Sequence, residues 1–515
     1  GLADDADATV DPGSFFSWYI DSDSDNYGDE AATPVGACGD PSTSTDRYAL
    51  NALDCNDAES AINPAATEIC DAADTDEDCD GLADDADPSV DTATGSPWYP
   101  DEDDDGYGTD DSTGDLFCDD PGTGYDATAD DCDDNDASVN PGATEVCNDT
   151  DDDCDPTTGQ AGMAQFVDSS NAATDLQATF AAGTPSSLAS WTSSTDGTLW
   201  MCEGTWYAQL EIATNHTVDI LGPDGAAVTI LDGNYQDSIV YLNEGSDVYM
   251  SGLTIQYGYA YGGGGLVVDQ GSFTGEDLIF EENYATYGGA FLTSDAAVSF
   301  EDSTFSANAA YYGGAGLVAD DGSHKVSFSD CTFDGNDSYD NGGGLHFFDS
   351  PEVMVTDTTF VDNFAVNDGG GIYVDEGTLF VDSCEFDGNL SDHDGGGIYA
   401  ADDISIVDTL FIDNEAGDDG GGVYLTLGRF ETATISGSSS SSSGASSTVF
   451  SGNMADDNGE AVYIRIADDW FNGGELQVDD VDFGSDDLYH RTASWASFSP
   501  GSAASFTCTH WYNCY

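Results

Sequence analysis

The sequence predicts an all-β chain: a right-handed parallel β-helix preceded by irregular, disulfide-linked repeats. Three observations carry this expectation. A Gly-Gly opening and a Phe-x-x-Asn ending recur seven times between Gly262 and Asn453. The first 160 residues instead repeat at a spacing close to 80, with Asp and Cys at matching places. Gly is abundant at 61 residues, and amphipathic helical patterns are hard to find.

Composition bounds the function classes. The 515 residues include 103 Asp and Glu against 5 Lys and Arg, a formal charge of -98. Such a chain repels itself unless counter-ions neutralise it, and its field turns away nucleic acid and anionic membrane. With 39% hydrophobic and 11% aromatic residues it is too apolar for a disordered acidic tail, so most of it folds, in more than one domain. No apolar run on the order of 18 residues is present, so no membrane span is expected. Eight of the 13 Cys fall within the first 154 residues at repeating places, which places the chain in a non-reducing setting, secreted or at the cell surface. Gly1 begins inside a repeat, so the sequence reads as a processed or partial chain.

The domains follow from the repeats. GLADDADATVD (1–11) returns as GLADDADPSVD (81–91), Trp18-Tyr19 as Trp98-Tyr99, and Cys38 as Cys118. Cys55, Cys70 and Cys79 return as Cys132, Cys147 and Cys154. Residues 1–17 are then the tail of a truncated repeat, and 18–97 and 98–160 are two further repeats. Residues 161–485 are the β-helix and 486–515 a C-terminal cap containing Cys508 and Cys514. In the β-helix, coils of 25 to 29 residues run from Phe280/Asn283 to Asn414, and a Ser-rich insert (436–447) stretches the last to 39. Each coil cannot bury its own apolar face and must stack on the next, about 4.8 Å away. Ile372/Val374 and Leu379/Val381 are expected to point inward together, with Asn and Phe of successive coils forming ladders.

The acidic loops have the spacing of Ca²⁺ ligands, because alternate side chains on a tight loop converge on a cation that takes 6–8 oxygens. Asp21, Asp23 and Asp25 with the Tyr27 carbonyl form one loop, repeated as Asp101, Asp103, Asp105 and Tyr107. Ala32 and Ser112 stand where a twelfth-position glutamate would be, so Asp29, Asp110 or Asp111 is expected to close the loop. A second kind of site is Asp74, Asp76, Asp78 and Asp80, closed by Asp84 or Asp85; its counterpart is Asp149, Asp151, Asp153 and Asp155. A third candidate is Asp54/Asn56 and Asp131/Asp133/Asn135, with Glu68 or Glu145 downstream. Thiolate zinc would need paired C-x2-C, which does not occur.

The Cys read as disulfides. Among the three pairings that four Cys allow, the first choice is Cys38–Cys55 and Cys70–Cys79, then Cys118–Cys132 and Cys147–Cys154. Cys508 and Cys514 can close a terminal loop, and Cys202 is left over. Cys331 and Cys384 fall two coils apart around Thr358, about 9.6 Å at the strand spacing, beyond disulfide reach. They are expected to be free, buried thiols.

The Gly-Gly-Gly-Ile/Leu and Phe-x-x-Asn repeat resembles that of polymorphic outer-membrane proteins, over about residues 230–485, which implies a β-helix. DEDDDGYG, DCDDNDASVNPGATEVC and DDDCD resemble the MopE-type metal-binding repeats of secreted bacterial proteins, and also thrombospondin type 3 calcium repeats. The first label mentions copper, but the motif supplies oxygen rather than nitrogen, which suits Ca²⁺.

No catalytic set stands out. Lys325, Arg429 and Arg465 lie in no carboxylate cluster, His324 and His393 sit in turns, and Asp269, Asp320, Asp349 and Asp375 read as turn residues. The expectation is a secreted calcium-binding structural or adhesive protein, not an enzyme. Its candidate partners are Ca²⁺, identical subunits adding at coil ends as a filament, and glycans at Tyr257, Tyr259, Tyr261, Tyr284, Tyr287, Tyr311 and Tyr312. A glycan-binding or polysaccharide-cleaving β-helix is the alternative. Asn148, Asn215, Asn336 and Asn389 match the N-x-S/T glycosylation pattern.

Overall fold

The structure, a computed structural model, describes residues 11–110, 112–147, 150–155, 160, 162–319, 324–348, 352–427, 431–437, 447–466, 475–479, 481–483, 488–491 and 497–500. Asp111, Asp149, Asp320, Asp349, Arg429, Cys508 and Cys514 lie outside the described residues. The chain divides into two compact units, one of residues 1–145 and 151–159, the other of 146–150 and 160–515.

In the first unit each repeat forms a small antiparallel sheet. Phe16–Ile20 lies between Val35–Ala37 and Tyr48–Ala49, and Ser96–Pro100 lies between Asp115–Phe117 and Tyr125–Asp126. The chain then returns beside each acidic loop. Gly108–Thr109 pairs in parallel with Ala129–Asp131, and the bridge Asp29–Asp54 is the first repeat's version. Glycine is required at this crossing: a Cβ on Gly108 would lie 2.5 Å from the Tyr99 Cβ, and one on Gly28 2.6 Å from the Tyr19 Cβ. Among the described residues of this unit, the buried apolar side chains are only Ala37, Ala49, Ile62 and Val139. That is too little apolar burial to fold a chain of this length.

Disulfides supply part of the remainder, in a pattern the sequence did not reveal. The bonds are Cys55–Cys79, Cys70–Cys118, Cys132–Cys154 and Cys147–Cys202. Cys38–Cys55, Cys70–Cys79, Cys118–Cys132 and Cys147–Cys154 are therefore not formed, and Cys202 is bonded rather than left over. The physical reason is how the acidic loops fold back. Glu68 accepts the N–H groups of Glu77 and Asp78, which turns Cys79 toward the Cys55 backbone. Both Asp85 carboxylate oxygens hold the N–H groups of Cys118 and Asp119, which sets Cys118 beside Cys70.

The second unit is a right-handed parallel β-helix of about 12 turns. One face is a 12-stranded parallel sheet from Ala189–Ser193 to Leu488–Arg491, and another an 8-stranded sheet from Tyr259–Gly262 to Met454–Ala455. A representative coil runs through Leu345–Phe348, Glu352–Thr356, Thr359–Val361 and Phe364–Ala365, then passes to Ile372–Val374. Ile372, Val374, Leu379 and Val381 are all buried, as their alternation requires.

Two columns set the register. Phe305, Phe333, Phe360 and Phe386 stack with centroids 4.6 to 4.7 Å apart. Beside them, the Asn363 Nδ2 donates to Asn389 Oδ1 and the Phe333 carbonyl, both at 2.9 Å, and the pattern repeats from Asn283 to Asn453. Asn336 and Asn389 belong to this buried ladder, so their glycosylation patterns are closed to sugar. Cys331 and Cys384 are buried free thiols, as expected, and burial pushes both up to about 12.

On one face, the N-terminal edge of the β-helix is covered. Ala164–Asp168 runs antiparallel to both Gly197–Met201 and Ala173–Asp175, and the helix Gln177–Phe180 follows. Phe180 is buried against Trp206, with ring centroids 5.9 Å apart. A covered edge offers no unpaired backbone row to another chain.

Candidate metal centres

Two equivalent clusters occupy the first unit. In the first repeat, the loop after Phe16–Ile20 turns through Ser24 and Asn26 at positive φ (75° and 82°). Asp21 organises this turn: its carboxylate accepts the N–H groups of Ser24, Asp25 and Asn26. Asp25 accepts the N–H of Tyr27 on one oxygen, leaving the other pointed inward. The second repeat copies the turn with Gly106 at φ 96°, its N–H on Asp101 and the N–H of Tyr107 on Asp105.

The Asp29 carboxylate accepts the N–H of Ala31 on one oxygen. The strand return adds a further carboxylate to each loop, Asp54, fully buried at 0% exposure, and Asp131 at 1%. Oxygens of Asp23, Asp25 and Asp54 lie within 4.8 Å of one another, and Asp57 makes a similar group with Asp21 and Asp23. The third candidate group thus divides. Asp54 and Asp131 join the first loops, while Asn56 and Asp133 cap them by donating N–H to Asp54 and Asp131. Asn135 donates its N–H to the Asp133 carbonyl.

Four buried carboxylate oxygens in each cluster have no hydrogen-bond partner: both of Asp23 with one each of Asp25 and Asp54, and one each of Asp101, Asp103, Asp105 and Asp131. Burying a charge without a partner is costly, so such groups normally pair or bind metal. Burial foremost, and the neighbouring carboxylates second, raise Asp23, Asp54, Asp103 and Asp131 above the ordinary carboxylate range. Residues 1–160 contain a single basic residue, Arg47, so the chain itself cannot balance these charges.

The second kind of site is arranged differently from its spacing. Asp76 accepts the N–H groups of Asp80 and Gly81, Asp80 that of Leu82, and Asp85 is occupied at Cys118, so these acids serve as turn caps. Asp84 is buried with one oxygen unpartnered, and burial, followed by the adjacent Asp74, raises its pKa. In the second repeat, Asp153 caps Asp155, Glu145 accepts the N–H groups of Asp152 and Asp153, and Asp151 is exposed.

The β-helix holds an acidic column that sequence reasoning missed. Asp368, Asp394 and Asp419 precede the Gly triplets of successive coils, and each carboxylate accepts an N–H or amide from the next coil. Three Asp in register before Gly-Gly-Gly was the available signal. Burial, then the charges of Asp368 and Asp419, pushes Asp394 up to about 6. Beside it, exposed His393 pairs with Asp418 at 3.0 Å. A carboxyl raised in the folded state favours folding below its unfolded value near 4, and that contribution is lost as pH rises through about 6. Asn341 and Asn458 occupy the same column position, so Asp394→Asn should fit. It is expected to stabilise the β-helix by about 1 kcal/mol at pH 7.5, after discounting for partial exposure. It should also flatten stability between about pH 4 and 6, as read by guanidinium midpoints.

The tyrosines of the eight-stranded face are largely exposed, Tyr261 most at 74%. Tyr259 stacks on Tyr284, and Tyr287 on Tyr312, at 5.2 Å with interplanar angles near 10°, so one face of each ring is taken by its neighbour.

Comparison with known families covers both units. Residues 228–375 and 288–463 match the family model for a right handed beta helix region, and residues 54–85 and 131–159 match the model described as "Putative metal-binding motif", whose short name refers to copper. No curated protein and no solved structure matches the chain. The matched motif contains Asp54 and Asp131 but not the loops that begin at Asp21 and Asp101. The β-helix is shared by lyases, hydrolases and proteins without catalysis. Four disulfides with a metal-binding motif and a β-helix fit a surface or extracellular protein. Among the described residues no helix is long and apolar enough to cross a membrane.

The donor set tests the copper label. Residues 1–160 contain no His and no Met, and Cys55, Cys70, Cys79, Cys118, Cys132 and Cys154 are tied in disulfides. Apart from Cys38, which belongs to neither cluster, what remains is carboxylate and carbonyl oxygen, the ligand set of hard cations.

Proposed function

We propose that this is a secreted, calcium-loaded structural protein of the cell surface or matrix, in which Ca²⁺ holds the acidic repeats in shape and the β-helix serves as a rigid module, without catalysis. The observation that carries this reading is the double set of unpartnered buried carboxylate oxygens, at Asp23, Asp25 and Asp54 and again at Asp101, Asp103, Asp105 and Asp131. Oxygen-only convergent loops favour Ca²⁺, with the Tyr27 and Tyr107 carbonyls and water completing a shell of 6–8 ligands. Magnesium prefers a smaller octahedral site and keeps its own waters.

Equilibrium dialysis of the oxidised chain against Ca²⁺ and, separately, Cu²⁺ tests this. Tight retention of Ca²⁺ is expected, with one equivalent lost in Asp54→Asn and one in Asp131→Asn. Retention of stoichiometric Cu²⁺ with no Ca²⁺ would overturn the proposal.

A further inference from the structure

We propose that Glu68, Asp78 and Asp87 form an additional hard-cation site of a different build that fastens the connector between the two repeats. The inference rests on the calcium reading above and extends it to Asp87, a residue outside the acidic loops and the matched motif.

Three separate stretches of chain meet here. Each of the three side chains places a carboxylate oxygen within 4.8 Å of the other two. Glu68 is buried and accepts N–H groups from Glu77, Asp78 and Asp84, which fixes its carboxylate in place. Asp78 is steadied by the Asp80 N–H and the Ser89 hydroxyl. Asp87 is 2% exposed; one oxygen takes the Ser89 N–H, and the other is buried with no partner. Three carboxylates this close, one with a buried unpartnered oxygen, form a set that a divalent cation with oxygen ligands would complete.

The placement gives the site a role that the loops cannot have. Asp87 lies on the stretch linking the repeats, just after the short 3₁₀ turn Asp84–Ala86. The same stretch bonds back through the Asp91 N–H to the Glu68 carbonyl and forms a bridge with Ile69. Next to it, Asp85 caps Cys118, the partner of Cys70. A cation on Glu68, Asp78 and Asp87 therefore ties the connector to the body of the first repeat.

The second repeat keeps two of the three ligands and lacks the last. Glu145 accepts the N–H groups of Asp152 and Asp153, as Glu68 does with Glu77 and Asp78. After Cys154, however, the sequence reads DPTTGQAGMAQFVD, with no acid between Asp155 and Asp168. The expected Ca²⁺ count is therefore odd: one per acidic loop plus this one.

Native mass spectrometry of the oxidised full chain with Ca²⁺ alone, combined with hydrogen exchange, tests the site. Asp87→Asn is expected to lose one equivalent and to abolish the Ca²⁺-dependent protection of residues 84–95, with the disulfide map unchanged. Asp54→Asn should lose one equivalent and keep that protection. If Asp87→Asn retains both the full count and the protection while Asp54→Asn loses its ion, this inference fails and the calcium reading stands. If neither the wild type nor any variant takes up Ca²⁺, both fail.

Discussion

Removing calcium with EGTA is expected to unfold the first unit and leave the β-helix intact. The unit buries only Ala37, Ala49, Ile62 and Val139 among its described apolar side chains, while its acids converge without cationic partners. A ligand present at a hundredfold excess over its Kd stabilises the state that binds it by about 2.7 kcal/mol per site. Two loop sites then supply about 5 kcal/mol, comparable to the whole net stability of a small domain. Limited proteolysis should show residues 11–159 becoming sensitive on chelation and resistant again when Ca²⁺ returns, with residues 162–466 unaffected throughout. Unchanged protease resistance and near-UV circular dichroism after chelation would mean that the cations are not what holds this unit.

The largest effect within the β-helix is expected from Asn363→Leu. The volume is nearly conserved, so a cavity is not the issue. Asn363 Nδ2 donates to the Phe333 carbonyl and Asn389 Oδ1, and its Oδ1 accepts the Asn336 N–H and Nδ2. Leucine removes all four bonds and leaves the Asn336 N–H buried with nothing to bond. That donor costs about 1–3 kcal/mol and the three other bonds about 1 kcal/mol each, so a loss of about 4 kcal/mol is expected, at the severe end for one substitution. Denaturant midpoints of the oxidised chain measure it. A loss under about 1 kcal/mol would show that the amide column is dispensable.

The β-helix was legible because its interior is periodic. A Phe that must stack on Phe and an Asn that must bond to Asn recur at one sequence spacing, so composition and geometry carry the same signal. The acidic loops were legible for the same reason up to Asp25 and Asp105. The fourth carboxylate was visible in the sequence but assigned elsewhere. Asp54 reaches the Asp23 loop through the backbone bridge at Asp29, a through-space event that leaves no spacing rule behind. Asp87 belongs to no motif and becomes notable only through its burial.

The disulfides were illegible for a related reason. Closing the nearest Cys in sequence is the natural expectation when loops are flexible. Here Glu68 and Asp85 hold the backbone through N–H bonds that no Cys spacing records. Cys70 is thereby carried to Cys118 of the next repeat, and Cys147 finds Cys202.

That crossed bonding has a mechanical consequence. A pull on the oxidised chain can travel from Cys55 to Cys79, back to Cys70, across to Cys118, on to Cys132 and Cys154, back to Cys147 and across to Cys202. Only about 30 residues lie on that shortcut, against about 147 along the backbone, or roughly 100 Å against 500 Å when drawn taut. Even with its repeats melted, the oxidised segment would behave as a short tether, and a reducing agent rather than a chelator would release the remaining slack.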